Sequence, residues 1–343
     1  MIERGSEWRR WELHLHTPFT KKNDNYSGNN EVEKWDNFYS TIRDYIGDGN
    51  DPLRSICAIA ITDYLSVDNY FKVVQDNRLP KSVRFIFPNV EMRIKPIAKT
   101  SPINIHCLFS PDIANDLEER FFSKLSFEYK NIEYSATTKG LISLGKAFIG
   151  NRYITENEAL HRGIEQYVIS FEVLSNLFKK DAKLKEKTII AVSNGSKDGA
   201  SGLHSHSEYF VSNDRNISQL EATRRSIYQL SDVVFSSSEK DINYFLGLGE
   251  VDDEKTVKEK YGALKPCIHG CDAHSNEKIF APDYDNFCWI KAEPTFEGLK
   301  QILYETKERI RICKTFPDPK INYYVIDRVE LNLPRLKSRG SRD

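Results

Sequence analysis

This sequence predicts an α/β fold, a closed or nearly closed barrel with its functional residues at the C-terminal rim of the strands, and three observations carry that expectation. Seven short apolar runs read as strands and alternate with amphipathic or charged helical stretches, the pattern of parallel βα units. His, Asp and Glu side chains able to hold a metal gather where those runs end, which is where such barrels carry their chemistry. At 343 residues the chain exceeds a small domain, and one barrel-type domain of roughly 200 to 250 residues with extensions fits that length.

The first run, Trp11–His16, places His14 and His16 two residues apart, so both imidazoles point to one face of a strand and can converge on one ion. The helical stretch Glu31–Ile46 follows, then the run Ile56–Thr62, closed by Asp63, and a helix over Val67–Asn77. Val83–Pro88 comes next with Glu91 just beyond it, and Ile103–Phe109 carries His106 within it. A helix is expected over Pro111–Leu125. Residues 126–186 read as an insertion beside the site, weakly patterned over Tyr129–Tyr153 and then one long helix or a helical pair over Glu156–Lys180. Thr188–Ser193 resumes the strands, and the Gly- and Ser-rich loop Asn194–His206 behind it, with Lys197, His204 and His206, belongs at the functional rim. A helix over Ile217–Leu230, the run Val233–Ser237, a helix over Asp252–Leu264 and the run Pro266–Gly270 complete the alternation. That last run leads into Asp272 and His274, which repeat the spacing of the first pair. Phe296–Ile310 reads as the final helix, and Tyr324–Leu333 alternates as a half-exposed strand beyond the barrel.

A net charge of −1 means that any nucleic acid would have to be held by a local basic patch, because the global field is close to neutral. The N-terminus lacks the apolar core of a signal peptide and no run approaches a membrane span, so a cytoplasmic protein is expected. Cys57, Cys107, Cys267, Cys271, Cys288 and Cys313 are scattered, which suits reduced buried thiols better than a disulfide framework. Cys267, His269 and Cys271 alternate and could instead form a separate zinc cluster. Taken singly, a strand histidine is usually a satisfied core residue and a strand-end aspartate usually caps a turn. Gathered at one rim, so many imidazoles and carboxylates would each cost several kcal/mol to desolvate without a compensating cation.

The order His14-Leu15-His16, Thr62-Asp63, Asn89-Val90-Glu91, His106 and Gly270-Cys271-Asp272-Ala273-His274 resembles the polymerase and histidinol phosphatase (PHP) superfamily over roughly residues 8–310. More narrowly, Gly5–His14, Asp198–Gly202, His269–His274 and Trp289–Leu299 look like the TrlF-type branch, in which the barrel is usually followed by an ABC/SMC-like ATPase. The resemblance implies a distorted (β/α)7 barrel over residues 1–312, and an extension over 313–343 that leads to, or docks on, an ATPase. No GxxxxGK[ST] phosphate loop is present, so the ATPase would lie in a longer chain or act in trans.

It also implies up to three divalent ions, of manganese, zinc or magnesium. His14, His16, Glu91 and Asp272 would hold one ion, Glu91 would bridge to a second that His106 also binds, and His274 would serve a third. Two ions are expected, because Tyr64 stands after Thr62-Asp63 where the family often has a histidine, and the histidine that often follows the first motif is missing between Thr17 and Ser27. Asp63 is a further candidate ligand. Ser193-Asn194 stands where a second His or Cys ligand is common, and a neutral amide suits harder ions, with His204 and His206 as substitutes from the following loop. Asp63, Glu91 and His274 are the candidate catalytic groups, and Arg93, Lys197, Lys291 and His206 the candidate phosphate contacts. The implied activity is that of a metal-dependent phosphodiester hydrolase, a nuclease that binds DNA or other nucleic acid and works with the ATPase in genome maintenance or antiviral defence, in an assembly that could be oligomeric. A small-molecule phosphatase and a degenerate scaffolding module are the alternatives.

Overall fold

The computed structural model describes residues 7–98, 101–150, 153–194 and 221–317. Its strands are β1 (Trp8–Leu15), β2 (Ile56–Tyr64), β3 (Phe85–Ala98), β4 (Ser101–Phe109), β5 (Ser126–Tyr129), β6 (Ile132–Ser135), β7 (Thr188–Ser193), β8 (Val233–Phe235), β9 (Cys267–Ile268), β10 (Phe287–Lys291) and β11 (Ile310–Cys313). Nine of them form one sheet in the order β11-β10-β1-β2-β3-β4-β7-β8-β9, and β5 pairs with β6 alone. Just beyond β9 the chain returns to β1 through a parallel bridge between Leu15 and Ala273. There the Asp272 N–H donates to the His14 carbonyl at 2.8 Å. The seven strands from β1 to β9 in that order therefore make a nearly closed barrel, while β10 and β11 extend it antiparallel from the other half of β1.

The interior is built in layers by the two-residue period of the strands. Ala58, Ala60, Phe87, Leu108, Ile189, Ala191, Val233 and Phe235 belong to one buried apolar cluster. The next residues on the same faces are Thr62, Asn89, Glu91, His106 and Ser193, all buried and all polar. A polar layer thus caps the apolar one. Outside the sheet, the helix Glu31–Ile46 starts at Asn30, whose side chain accepts from the Glu33 N–H, and it buries Trp35, Phe38, Tyr39, Ile42 and Ile46. That face packs on Leu15, Ile56, Ile59 and Ile61.

The barrel is not built of parallel βα units throughout. β4 runs antiparallel to β3 and to β7, because the stretch after Pro88 extends both strands into a hairpin and leaves no length for a crossover helix. Glu91 consequently lies inside β3, opposite His106 on β4, rather than beyond the strand. The hairpin of β5 and β6, the strands β10 and β11 and the helix Glu239–Phe245 were not expected from the pattern. The expected helix over Pro111–Leu125 is a series of short turns, Pro111–Asp116, Leu117–Arg120 and Phe122–Lys124. Within the insertion Thr138–Ile149 is helical, and Glu156–Lys180 is a pair of helices, Glu156–Gln166 and Phe171–Lys180. They part where Ile169 joins the edge of β3 beside Ile94 and Ser170 caps the second helix. The strand expected at Tyr324–Leu333 lies outside the described residues. All six cysteines are free. Cys267 and Cys271 pack into different core clusters, so they form no zinc site with His269. No helix among the described residues is long and apolar enough to cross a membrane.

Candidate metal centre

Between the pairs Glu12↔Ile59 and Leu15↔Ile61, β1 holds one residue more than β2, a bulge at Leu13-His14 of the kind that re-aims side chains beside functional sites. His14 and His16 both turn into the barrel mouth, and their Nε2 atoms lie 3.2 Å apart. Glu91 Oε2 is 3.6 Å from His14 Nε2 and 3.4 Å from His16 Nε2. Asp272 Oδ1 is 3.2 and 3.5 Å from the same two atoms. His274 Nε2 lies 3.5 Å from that oxygen, and its ring stacks on His16 with centroids 4.0 Å apart. The His106 ring meets that of His14 edge-on at 4.7 Å.

The surrounding hydrogen bonds decide which atoms face the cluster. Thr20 Oγ1 donates to Asp63 Oδ1 at 3.0 Å, so it accepts from His16 Nδ1, also at 3.0 Å, and leaves His16 Nε2 with its lone pair inward. Asn89 spends both amide hydrogens on the Leu13 carbonyl and Thr62 Oγ1. Its oxygen therefore receives His106 Nδ1 at 3.3 Å, and the lone pair of His106 falls on Nε2. Asn104 donates to Glu91 Oε1 at 2.9 Å, which leaves Oε2 free. Glu91 Oε2, His106 Nε2 and His274 Nδ1 are buried without a hydrogen-bond partner.

Charge sharpens the picture. Burial opposes protonation of His16, but the Asp272 and Glu91 carboxylates outweigh it and raise its pKa to about 9. His14 is raised for the same reason. Burial likewise opposes ionisation of Glu91 and Asp272, yet the facing imidazoles hold both well below the usual carboxylate range. Burial, helped by the neighbouring His14, lowers His106 to about 3, and burial lowers His274 as well. Two carboxylates and a ring of imidazole lone pairs call for positive charge at their centre. The donors around one ion bonded at about 2.0 to 2.1 Å lie roughly 3.3 Å apart, close to the separations seen here. The donor set, its unpartnered atoms and these separations fit divalent metal at two overlapping groups, His14, His16 and Glu91 on one side and His16, Asp272 and His274 on the other, with Asp272 Oδ1 also facing His14 and the His106 ring against that of His14.

Several expected residues are placed otherwise. Asp63 is saturated: Oδ1 accepts from Thr20 Oγ1, the Lys21 N–H and the Tyr64 N–H, and Oδ2 from Asn69. It positions His16 through Thr20 instead of joining the ligands. Lys291 pairs with Trp8, at the opposite end of β1 from the histidines, and so is not at the site. Arg93 is on the Glu91 face of β3, with one nitrogen donating to the Ile164 and Glu165 carbonyls. Asn194 donates to Asp241 and accepts from the Tyr228 hydroxyl, so its amide is committed away from a ligand role. Lys197, His204 and His206 lie outside the described residues.

Supporting residues that the motifs did not reveal include Glu12, Thr20 and Asn104. Glu12 Oε1 accepts from the His14 N–H at 3.0 Å and the Cys271 N–H at 2.9 Å, which ties the two ligand segments together, and burial raises its pKa. The contact is so close that a Cβ on Gly270 would lie 2.5 Å from Glu12 Oε1 and from the His14 nitrogen. Asp272 itself has φ +48°, a left-handed conformation that costs energy in a residue other than glycine and is common at functional sites. Gly270→Ala is expected to destabilise the protein by about 1–3 kcal/mol through overpacking, and to weaken metal retention because both ligand segments must part. Urea denaturation with metal analysis of the same samples checks this, and an unchanged midpoint with unchanged metal content would contradict it.

No protein-family model matches this sequence, and no curated protein matches it. Among solved structures, a crystal structure of a "putative metal-dependent phosphoesterase" from Bifidobacterium adolescentis aligns with 87% of this chain and 97% of its own, at 11% identity and a TM-score of 0.36. A likeness of that size carries no functional weight, and the function has to be read from the side chains of the centre.

Proposed function

We propose that this protein is a divalent-metal-dependent phosphoesterase of PHP type. The observation that carries the reading is the convergence of His14, His16, Glu91 and Asp272 at the mouth of a barrel, with buried donor atoms that no protein group satisfies. Divalent ions held there would lower the pKa of a bound water and neutralise charge on a phosphoryl group. Glu91, fixed at Oε1 by Asn104, presents Oε2 between the paired histidines and the wall that carries His106. His274, partly exposed at the rim and with its pKa lowered by burial, would serve as a proton acceptor at the substrate. Asp63, with both oxygens engaged, keeps His16 in the tautomer that ligation needs.

The narrower reading is a nuclease of the TrlF type, acting on DNA or other nucleic acid with an ABC/SMC-like ATPase in genome maintenance or antiviral defence. It is supported by the sequence resemblance, and Lys197 and His206 enter it from sequence alone. The metal is zinc or manganese on the imidazole donors and manganese or magnesium on the carboxylates. The experiment is elemental analysis of the purified chain together with hydrolysis of bis-p-nitrophenyl phosphate before and after chelation. Bound divalent metal and chelator-sensitive turnover, restored by manganese, are expected; a metal-free chain that hydrolyses the ester equally well sinks the proposal. Binding to short DNA and RNA that weakens steeply with salt marks the nuclease, whereas salt-insensitive turnover of the small ester with no nucleic-acid binding marks a phosphatase.

A further inference from the structure

Lys22 belongs to the loop that follows β1, two residues after the threonine that fixes His16. Its Nζ lies 5.4 Å from the centre of the Tyr64 ring, and that ring stacks on His16 with centroids 5.2 Å apart and planes 19° apart. The ammonium therefore sits beside a ring that packs directly on a ligand. Arg93, two residues beyond Glu91 in β3, projects from the same face of that strand. The Ile164 and Glu165 carbonyls fix one of its nitrogens at 2.6 and 2.9 Å.

Lys22 and Arg93 are both half-buried, and they are near enough for the Arg93 charge to add to burial in lowering the Lys22 pKa. Among the described residues neither forms an ion pair with a carboxylate. The acids that Lys22 feels are Glu91, already facing two histidines, and Glu165, whose carboxylate is paired with Arg162 at 2.7 Å. Two partly desolvated cations held close together without an acid of their own favour an anion between them. The anion they can reach lies beside the metal ligands.

We propose that Lys22 and Arg93 form an oxyanion-binding wall of the metal centre, with Lys22 as the residue that anchors a non-bridging oxygen of a phosphoester or of the phosphate product. This rests on the metal-centre reading above. Arg93 is held in place by backbone carbonyls and supplies direction, while Lys22, on a loop, supplies a charge that can follow the oxygen.

The test is titration of inorganic phosphate into protein loaded with manganese, for the wild type, Lys22→Gln and Lys22→Arg, with manganese content measured on the same samples. Lys22→Gln is expected to bind phosphate at least tenfold more weakly with its manganese retained, and Lys22→Arg to stay within about threefold of wild type. The KM for a small phosphodiester should rise in the glutamine variant more than kcat falls. Unchanged phosphate affinity in metal-loaded Lys22→Gln overturns the anchor. Loss of manganese in that variant overturns it too, because Lys22 would then support the ligands and not the substrate. A wild type that takes up no manganese overturns the metal centre instead, so the two failures are distinguishable.

Discussion

Replacing His14 and His16 together by alanine is expected to abolish most divalent-metal binding and to lower phosphoester turnover by at least about 10³-fold, since even partners one shell further out usually cost 10- to 100-fold. Both Nε2 atoms lie within 3.6 Å of Glu91 Oε2 and within 3.5 Å of Asp272 Oδ1, so the pair faces both carboxylates of the centre. Without them Glu91, which is buried, and Asp272, which is partly exposed, lose the imidazoles that face them. Both carboxylates will draw protons, and Glu91 will lose the partners that hold its pKa low. The barrel itself should survive, because its apolar layer of Ala58, Ala60, Phe87, Leu108 and Val233 is untouched. Circular dichroism, elemental analysis and turnover on one preparation check this. A folded double variant with wild-type metal content or full activity would remove the basis for the metal centre.

The second large effect is a bell-shaped pH dependence of stability in the metal-free protein. His16 has a folded pKa raised to about 9, against about 6.5 for an unperturbed imidazole. The stability it confers is complete below pH 6.5 and is lost as pH rises through about 9, a loss on the order of 3 kcal/mol. His14, also raised, acts in the same direction. His106 is the reverse: with its folded value lowered to about 3, its contribution is present above about pH 6.5 and disappears as pH falls toward the folded value. Glu91 and Asp272, both depressed, add to the acid limb, since their stabilisation is present above the ordinary carboxylate range and is lost on protonation. Stability of the chelated protein should therefore peak near pH 6.5. Divalent metal takes the place of the imidazole protons, so loading the protein should flatten the alkaline limb and release protons on binding. Urea denaturation from pH 5 to 9, with and without manganese, measures both; a chelated protein equally stable at pH 6.5 and 9 would contradict the charge arrangement.

Much of the candidate centre was legible in the chain because side chains that can share one ion recur at short spacing. His14 with His16, and Asp272 with His274, repeat an interval of two that a strand or an extended turn converts into a shared direction. The apolar runs announced an α/β barrel, since strands buried on both faces leave near-continuous apolar segments. The direction of β4 was not legible. A run of apolar residues looks the same in either direction, and only the length of chain between Pro88 and Ile103 separates a hairpin from a crossover. The surroundings of Asp63 and Lys291 were not legible for a related reason. Nearness in sequence to a motif says nothing of which hydrogen bonds consume a carboxylate, as Thr20, Lys21, Tyr64 and Asn69 consume Asp63. Nor does it say which end of a strand a partner meets, as Trp8 meets Lys291.

Residue type and short spacing were enough to bring out the candidate pairs His14 with His16 and Asp272 with His274 and the class of fold, because each pair and each apolar run is set by positions close together in the chain. Tautomers, the free oxygen of Glu91, the tie through Glu12 and the cationic pair Lys22 and Arg93 were decided in three dimensions. Each depends on atoms from segments far apart in the chain, such as Glu12 with Cys271 and Asn104 with Glu91. Which donor meets which acceptor is settled only once closure of the barrel has brought those segments together and excluded the water that would otherwise satisfy them.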